Sequence, residues 1–503
     1  MERVANYTEE YHTLEEVKDD LERLFLRAIN SYDRMWYIIK AQTSAGKSET
    51  FLRLMKTTGL RFLIAVPTNK LKNDIKIRAD KKGIELLVTP SLDEIKDEIS
   101  DIWDHILHLR KTGQHQELHR FVRQKAEEEN VECLQEYLKQ QAEYEDYEGH
   151  TVTTHRRLLN MSKKALAKYD VVIIDEDIIL SSIASNQCEI PISLLKKILR
   201  KAMKTPHRSS AYNKLIEKIK RVLKAIKTET TFKLAAFEWD DGEKDDAAEK
   251  QKGDVDGIPA LTDIPSFCLS EHFMYRKASD ERNLAEDCIV FLKPWKFQDI
   301  KYIMVSATVD KDICEYAFGK HKVKFYECKQ APYVGVLNQY PEKSFSRTCI
   351  DEDPNVFKRI SDWTGSKHMI THKEYALKYG LCDMYFGNAI GCDHLMGENI
   401  DVVGTPYKID FLYKLLPFVL GIDIDADAKM KSCKVIHNGY KFHFTTFGEE
   451  HEVLRKFHFW MIESELEQAV GRARLLRCGC TVNLFSNFPI RQAVVKKSGY
   501  KTI

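Results

Sequence analysis

Mostly apolar runs of four to six residues recur through the first part of the chain, and each is followed by small or polar residues. They lie at 36–39, 62–66, 169–174 and 300–305. Continuous apolar character of this kind predicts strands that are buried on both faces of a parallel sheet. Amphipathic segments stand between the runs, and the segment at 13–30 opens with Thr13 and Glu16 as a capping box. The alternation predicts an α/β fold.

A second set of short apolar runs follows a break at about 319–322. The strand candidates are 323–326, 368–371, 401–404 and 481–485. They predict a second α/β domain over residues 321–503, after a first domain over residues 1–320. Residues 435–444 alternate around Asn438-Gly439, a dipeptide favoured in two-residue hairpin turns. We expect this β-hairpin to decorate the second domain rather than to continue its parallel sheet.

A helical insertion is predicted in the first domain at about 91–150. It is rich in Glu, Gln, Lys and Leu, and it opens with Ser91 and Glu94 at the spacing of a capping box. Gly113 is expected to split the segment into a helical hairpin, because glycine is a poor helix former.

A second insertion is predicted at about 181–290. Residues 190–227 have a helical pattern, and the lysines of 211–227 fall outside its apolar face. These lysines either contact a nucleic-acid backbone or form an ordinary solvated face. Residues 238–257 are acidic and lack apolar periodicity, so a disordered surface loop is expected there.

Composition narrows the class of protein further. The chain has 503 residues, of which 43% are hydrophobic and 30% charged, with a formal net charge of +1. This predicts a soluble protein of several domains, in which any nucleic-acid contact comes from local basic patches. We expect no membrane span and no secretory signal. The 12 cysteines form no C-x-x-C pair, which favours reduced thiols and a cytoplasmic location.

The strongest chemical signal lies at Trp36–Thr50, where an apolar run passes through small residues into Gly46-Lys47-Ser48. A strand–loop–helix turn of this kind presents unpaired N–H groups and the positive end of a helix dipole to phosphate oxygens. Lys47 is expected to reach the β- and γ-phosphates of a nucleotide, and Ser48 to hold Mg²⁺. The alternative is a chance Gly-Lys-Ser in a surface loop. The predicted cofactor-binding residues are Ala41, Gln42, Thr43, Ser44, Ala45, Gly46, Lys47, Ser48 and Glu49.

Carboxylates follow the apolar run at 169–174 as Asp175-Glu176-Asp177. Clustered carboxylates at a strand end are costly unless a cation or hydrogen bonds compensate. We expect Asp175 to hold Mg²⁺ through water and Glu176 to position or activate the attacking water. A charged turn with no catalytic role is the alternative. Thr68, Asn69 and Lys70 follow another strand and suit phosphodiester contacts, although Thr68 or Asn69 could simply cap a helix.

The order of these motifs resembles the superfamily 2 helicases, the DEAD/DEAH-box-like enzymes. Residues 41–48 look like motif I, 66–69 like motif Ia, and Thr153-Thr154-His155 like a later strand-contacting element. Asp175-Glu176-Asp177 is similar to the D-E-x-D box, with Ile178 in its last place, and Ser306-Ala307-Thr308 matches motif III.

The second domain carries the later motifs in order. Residues 370–373 resemble motif IV and residues 387–407 the motif V region. Gln468-Ala-Val-Gly-Arg472 begins like motif VI, but Leu475 occupies the place of its final arginine, with Arg474 and Arg477 nearby. Arg472 and Arg474 are our candidates for the arginine finger.

The resemblance implies two tandem RecA-like parallel-sheet domains that bind ATP and Mg²⁺ between them. It implies catalytic roles for Lys47, Asp175, Glu176, Gln468, Arg472 and Arg474, a magnesium site at Ser48 and Asp175, and coupling through Ser306 and Thr308. The residues that would contact nucleic acid are Thr68, Asn69, Lys70, Thr154, His155, Thr371, Lys373 and Thr405. The expected partner is a single-stranded or forked nucleic acid, with DNA favoured over RNA because motif V is similar to that of DNA-directed members.

Other functions are compatible with parts of this pattern. The chain could be an RNA helicase, or an ATP-driven switch that remodels or clamps a duplex without separating its strands. A scaffold with a decayed nucleotide site is disfavoured by the intact Lys47, Asp175, Glu176 and Arg472. A small-molecule P-loop kinase would not explain Ser306-Ala-Thr308. Replication or repair proteins as partners are not specified by any motif.

Overall fold

The computed structural model describes residues 1–4, 10–205, 209–239, 258–279, 285–381, 383–388 and 394–497. Residues 240–257 of the predicted acidic loop and 389–393 of the motif V region lie outside the described residues. Within the described ranges, no helix combines the length and the apolar character needed to cross a membrane.

The first domain is built on a seven-stranded parallel sheet. Its strands are β2 (Trp36–Lys40), β3 (Phe62–Val66), β4 (Leu86–Val88), β5 (His150–Thr154), β6 (Val171–Asp175), β11 (Tyr302–Ser306) and β12 (Val323–Glu327), in the order β12-β2-β11-β6-β3-β5-β4. Its helices are α1 (Leu14–Ile29), α2 (Lys47–Thr58), α3 (Asn69–Lys81), α7 (His155–Leu159), α8 (Lys163–Leu166) and α12 (Lys311–Phe318). In the central strands, alternate residues pack into apolar cores on the two faces of the sheet, as Trp36 and Tyr37 do in β2. The capping box of α1 at Thr13 and Glu16 forms as predicted.

The two ends of the first domain differ from the prediction. β12 pairs in parallel with β2 and therefore belongs to the first sheet, so this sheet runs past the boundary expected at residue 320. At the other end, β1 (Glu2–Arg3) pairs with a strand of the second domain. Strand pairing between distant residues decides both points, and a local pattern cannot show it.

The second domain contains a five-stranded parallel sheet. Its strands are β13 (Val336–Gln339), β14 (His368–Ile370), β15 (Ile400–Val403), β18 (Thr481–Phe485) and β19 (Val494–Val495), in the order β14-β15-β18-β13-β19. Its helices are α13 (Arg347–Asp351), α14 (Val356–Thr364), α15 (Lys373–Tyr379), α16 (Leu412–Val419) and α17 (Glu452–Val470). The two all-parallel, helix-covered sheets confirm the predicted pair of RecA-like domains.

The predicted β-hairpin of the second domain is present as β16 (Lys431–His437) and β17 (Tyr440–Thr446). Asn438 and Gly439 form its turn with φ values of 47° and 75°, in the left-handed region that this turn requires. The hairpin pairs with β1 in a small antiparallel sheet, separate from the parallel one, as expected for a decoration.

The first insertion is a three-helix arm, not the predicted hairpin. Its helices are α4 (Ser100–Lys111), α5 (His115–Glu128) and α6 (Glu132–Asp146). Gly113 separates the first two helices as predicted, but Asn130, with a φ of 55°, makes a second break. Ser91 caps only a single turn at Leu92–Glu94, so the long helical part starts later than its capping signal suggested.

The second insertion contains an antiparallel sheet that the helical and acidic pattern did not predict. The strands β7 (Gln187–Pro191), β8 (Thr231–Lys233), β9 (His272–Arg276) and β10 (Cys288–Leu292) pair in the order β7-β10-β9-β8. Its helices are α9 (Ile192–Lys204), α10 (Ser210–Ala225) and α11 (Ile264–Leu269). Ile289 and Phe291 of β10 pack beneath these helices, whereas Val290 and Leu292 face a core shared with α16. The insertion is therefore an α/β layer in contact with the second domain.

Candidate functional site: a cleft between the two domains

The loop between β2 and α2 has the backbone geometry of a phosphate-binding turn. Gly46 caps α2 with a φ of 108°, a conformation that favours glycine, and Ser44 is also left-handed at 70°. Since Gly46 offers no side chain, the first N–H groups of α2 are left for an anion. Ala41 anchors the loop by donating its N–H to the carbonyl of Ser306, 3.0 Å away.

Six of the nine predicted cofactor-binding residues line the cleft beside this turn. They are Thr43, Ser44, Gly46, Lys47, Ser48 and Glu49. Ala41 and Ala45 are buried and do not line it. Gln42 points elsewhere, because its side-chain amide exchanges two hydrogen bonds of 3.0 Å with the backbone of Ala331. Glu49, although at the rim, is within 2.8 Å of Lys82.

Lys47 and Glu176 form an ion pair at the centre of the cleft. Lys47 Nζ lies 2.9 Å from Glu176 Oε1, and Ser306 Oγ donates to Glu176 Oε2 at 2.7 Å. Burial alone would raise the pKa of Glu176, but the Lys47 ammonium and the two hydrogen bonds bring it below its ordinary value. Glu176 is thus an ionised carboxylate that contacts both the phosphate-loop lysine and the predicted coupling residue.

Asp175 has the surroundings of a cation ligand. It is buried, and none of the described residues hydrogen-bonds to its Oδ1. Burial and the neighbouring Glu176 charge raise the pKa of Asp175. A divalent cation would satisfy this orphaned oxygen, and Ser48 lines the same cleft. Asp175 and Ser48 therefore fit the predicted Mg²⁺.

Three arginines of the second domain face the phosphate loop. Arg472, Arg474 and Arg477 line the cleft of about 320 Å³ together with Lys47. Arg474 Nη1 donates to Ser44 Oγ at 3.3 Å, and Arg477 Nε donates to the Ser44 carbonyl at 2.8 Å. The turn that carries the arginines is thus placed against the phosphate loop of the first domain, as a nucleotide site shared by the two domains requires.

Gln468 contributes to this arrangement through its backbone. Its carbonyl accepts the Nε–H of Arg472 at 3.0 Å, whereas its half-buried side chain does not line the cleft. The guanidinium of Arg472 is buried and near enough to lower the pKa of Glu176 further. In this structure Gln468 therefore orients an arginine instead of facing the nucleotide cleft.

Asp177, the third acid of the D-E-x-D-like box, is turned away from the cleft. Its Oδ1 accepts the N–H of Ile179 at 2.9 Å, and burial raises the pKa of Asp177 to about 7. Close by, Trp460 of α17 donates its indole N–H to the carbonyl of Thr308 at 3.0 Å. Motif III of the first domain is thereby bonded to the second domain.

The predicted nucleic-acid residues fall into two groups. Thr68 and Thr154 are helix caps that accept N–H groups at 3.2 and 3.3 Å, so the alternative of a capping role holds for Thr68. Asn69 donates to Ser91 at 3.1 Å. Lys70 and Lys373 are exposed and accessible to a polymer.

Three of the predicted nucleic-acid residues have side chains that are buried in this structure. His155 bonds to Ser181 Oγ at 2.7 Å and to the Asp175 carbonyl at 3.1 Å. Thr371 donates to the carbonyl of Val403 at 2.7 Å, and Thr405 to that of Ser344 at 2.6 Å. All three are fully buried, so they position strand ends and loops and do not present themselves to a strand.

Sequence reasoning missed other residues of the cleft. Arg78 of α3 lines it, and its charge favours ionisation of Asp175. Arg477 was noted beside motif VI but not selected, and Trp460 was not considered. Arg477 offered a signal, since it is an arginine near a motif whose last arginine is displaced. Arg78 offered none, because it is one of many charges on an amphipathic helix.

Two parallel-sheet domains share a phosphate loop, an acid pair and facing arginines, which is the arrangement that a nucleotide site between two lobes requires. No protein-family model and no curated protein matches the chain. Solved structures do match, and those of superfamily 2 helicases are among them.

The solved structure of Xpd4 from S. tokodaii covers 96% of this chain and 100% of its own, at 11% identity and a TM-score of 0.47. Dbp5 of S. cerevisiae, bound to RNA and ADP BeF3, covers 92% of this chain and 82% of its own, at 9% identity and a TM-score of 0.37. Helicase Lhr of Mycobacterium smegmatis, bound to ssDNA and AMP-PNP, covers 93% and 46%, at 11% identity and a TM-score of 0.35. Since every TM-score is below 0.5, the assignment of function rests on the residues of this chain.

Proposed function

We propose that this protein is an ATP hydrolase that uses the opening and closing of its two lobes to move along a nucleic-acid strand and unwind duplex. The observation that carries the proposal is the position of Arg472 and Arg474 across the cleft from Lys47 and Glu176. A triphosphate held by the first lobe alone lacks a cation for the charge that develops on its outer phosphate. The arginines of the second lobe supply that cation only when the lobes are together.

The chain's own residues divide the chemistry among them. Lys47 exchanges its ion pair with Glu176 for the phosphate oxygens, which frees the Glu176 carboxylate to orient and deprotonate the attacking water. Mg²⁺, held through Ser48 and Asp175, would neutralise the phosphate oxygens during transfer. Arg472 and Arg474 stabilise the transition state, an effect worth roughly 10³–10⁵ in rate for arginine fingers.

Coupling to movement follows a continuous set of hydrogen bonds. Glu176 contacts Ser306, the hydroxyls of Ser306 and Thr308 lie 3.3 Å apart, and the Thr308 carbonyl accepts the indole N–H of Trp460. A movement of Glu176 on hydrolysis can therefore be transmitted, through the hydrogen bonds of motif III, to the helix that leads to the arginines. We propose that this connection converts phosphate release into lobe movement.

The proposed substrate is a single-stranded or forked nucleic acid, with DNA favoured over RNA. The preference rests on the resemblance of the motif V region to DNA-directed members. Lys70 and Lys373, one on each lobe, are the exposed candidates for backbone contacts, and backbone contacts carry little sequence information.

A second candidate, a duplex-clamping switch without strand separation, is supported by the contact between the second insertion and the second domain. Phe411 of the second domain packs on Arg276 of the insertion, with 4.1 Å between the guanidinium carbon and the ring centroid. His272 and Phe418 pack edge to face at 5.0 Å. Contacts of this kind restrict how far the lobes open, which suits a clamp as well as a motor.

An ATPase assay with and without single-stranded DNA and RNA tests the proposal. Lys47→Ala is expected to abolish hydrolysis, whereas Lys56→Ala, on the exposed side of the same helix α2, should leave it unchanged. Strand displacement from 3′- and 5′-tailed duplexes then separates the two candidates. Hydrolysis that ignores both polymers contradicts the motor, and stimulated hydrolysis without strand release supports the clamp.

A further inference from the structure

One helical pair carries charge of almost a single sign. Residues 192–227, which include α9 and α10, hold 12 Lys and Arg residues and a single acid, Glu217. Since the complete chain has a net charge of +1, all other residues together carry a net charge of −10. A solvated helical face in such a protein would mix both signs of charge. This segregation of charge is typical of a surface that meets a polyanion.

The structure places these charges on one outer surface. The apolar residues of α9 and α10 pack into a buried core over the sheet of the second insertion. Glu217 is exposed on α10 and lies 3.0 Å from Lys220. Among the described residues, the basic side chains that are exposed are Lys196, Lys197, Arg200, Lys204, Lys214, Lys220, Arg221, Lys224 and Lys227. We name these nine residues the basic face. At 1.5 Å per residue, the basic residues of each helix extend over roughly 12–15 Å, which matches about four phosphates along one strand.

The basic face lies apart from the nucleotide cleft. The sheet under α9 and α10 turns its other side towards α16 of the second domain, through Val290 and Leu292. The charges therefore point away from the contact between the lobes, and none of them lines the nucleotide cleft. Changing them should leave ATP hydrolysis itself intact.

The chemistry of the surface favours duplex over single strand. Single-strand binding relies on aromatic side chains that stack on unpaired bases. In the described part of this segment, 192–205 and 209–227, the large hydrophobic side chain that is exposed is Met203, and no aromatic ring is exposed. Lysine and arginine heads on a surface without exposed aromatic rings suit the phosphates of a paired backbone.

We infer that the basic face of the second insertion binds the sugar–phosphate backbone of duplex nucleic acid as a contact separate from the strand-holding residues of the two lobes. The inference rests on the proposed function, since it takes nucleic acid as the substrate. It adds that the motor holds the duplex portion of a forked substrate, not only the strand along which it moves.

The experiment compares two fourfold variants of the full chain. The first changes Lys197, Arg200, Arg221 and Lys224 of the basic face to Gln. The matched control changes Lys111, Arg120, Arg123 and Lys139 of the helical arm to Gln, of which the last three lie within 4.0 Å of a glutamate. Binding to a labelled, blunt-ended DNA duplex is measured over a range of salt concentrations, together with ATP hydrolysis in the absence of nucleic acid.

The basic-face variant should bind duplex at least about tenfold more weakly at moderate salt, and the slope of log K against log salt should become shallower by about 3–4. The control variant should bind like the parent, and both should keep the parent's hydrolysis rate without nucleic acid, which also shows that they fold. Equal duplex binding and equal slopes for all three proteins would overturn the inference. It would also be overturned if the parent did not bind duplex at low salt, and an acidic protein would then be the partner of the basic face.

The outcome for the surface and that for the motor are distinguishable. Duplex binding that depends on the basic face, with no hydrolysis stimulated by any polymer, keeps this inference and removes the proposed motor. If nucleic acid stimulates hydrolysis but duplex binding is the same with and without the basic face, the proposed motor is kept and this inference is removed.

Discussion

The indole N–H of Trp460 donates to the carbonyl of Thr308 across the boundary between the two domains, at 3.0 Å. Trp460 is buried and belongs to the helix that ends at the arginine turn, whereas Thr308 closes motif III beside the acid pair. The two halves of the proposed nucleotide site are therefore joined by a direct hydrogen bond.

Replacing Trp460 with Phe should uncouple the lobes while keeping them folded. The ring still fills the apolar core, so the loss is a single hydrogen bond worth about 1 kcal/mol. We expect the rate of hydrolysis without nucleic acid to change little and its stimulation by single strands to fall several-fold. Trp363→Phe, in a separate core of the second domain, is the control. Equal stimulation in Trp460→Phe and parent would show that this bond does not transmit the signal.

The close approach of Gly471 to Thr43 gives a second prediction. A Cβ on Gly471, whose backbone is not left-handed, would lie 2.5 Å from Thr43 Cγ2 of the phosphate loop. Gly471→Ala should therefore push the arginine turn away from Lys47 and reduce stimulated hydrolysis by on the order of 10–100-fold, as small misplacements in active sites do. The free energy of unfolding should change little, because the clash is relieved by separating the lobes.

Thr43→Ser removes the obstructing methyl group, so the double variant Thr43→Ser/Gly471→Ala should recover most of the lost activity. Gly479→Ala is the matched control, since nothing lies within 4 Å of its added Cβ. A double variant as inactive as Gly471→Ala would place the cause in the helix end itself and not in the contact between lobes.

Steady-state kinetics should distinguish the roles of Arg472, Arg474 and Arg477. Arg472 and Arg474 are expected to act in the transition state, so their Ala variants should lower kcat by about 10³ with KM little changed. Arg477 holds the Ser44 carbonyl of the phosphate loop at 2.8 Å. Arg477→Ala should therefore chiefly raise KM. Steady-state kinetics at saturating nucleic acid checks this, and a kcat loss of 10³ confined to Arg477→Ala would make that residue the arginine finger.

The sequence predicted those parts of the fold whose signal is local. β3 lies at Phe62–Val66 as expected, because a continuous apolar run between polar residues has few other environments available. The hairpin at Asn438 follows from turn chemistry in the same way. β12 was assigned to the wrong sheet, since the pattern of Val323–Glu327 is the same whichever strand it pairs with. The three-residue β8 is too short to show a period at all.

In the candidate site, too, the residues that lie in local motifs were predicted and those that depend on distant contacts were not. The phosphate loop and the acid pair lie within contiguous motifs, and the structure brings Lys47 and Glu176 into contact. The nucleic-acid role of His155 came from the resemblance alone, which does not show burial, whereas in the structure its buried ring bonds to the Asp175 carbonyl. The role of Trp460 depends on a partner 152 residues away, which no local pattern contains.

Buried neutral histidines predict loss of stability in acid. Burial lowers the pKa of His458 to about 3, that of His372 to about 3 and that of His155 to about 4. The folded protein keeps these rings neutral, whereas the unfolded chain binds protons below about pH 6.5. Their stabilising effect is therefore complete above that pH and is lost as the pH falls towards the folded-state values. The free energy of unfolding should fall by up to about 1.4 kcal/mol per pH unit for each histidine.

Urea unfolding at about pH 8 and about pH 5.5 measures this loss. His458 lies among aromatic rings, and its Nδ1 is 2.9 Å from Thr446 Oγ1. His458→Phe keeps the packing and removes the titrating group, so it should lose less stability between the two pH values than the parent. His443→Phe, exposed on the same hairpin, should lose as much as the parent, because its side chain meets water in both states. If the free energy of unfolding of His458→Phe fell as much between the two pH values as that of the parent, His458 would be protonated in the folded protein. The aromatic surroundings of its ring would then have to include an acceptor for the second N–H.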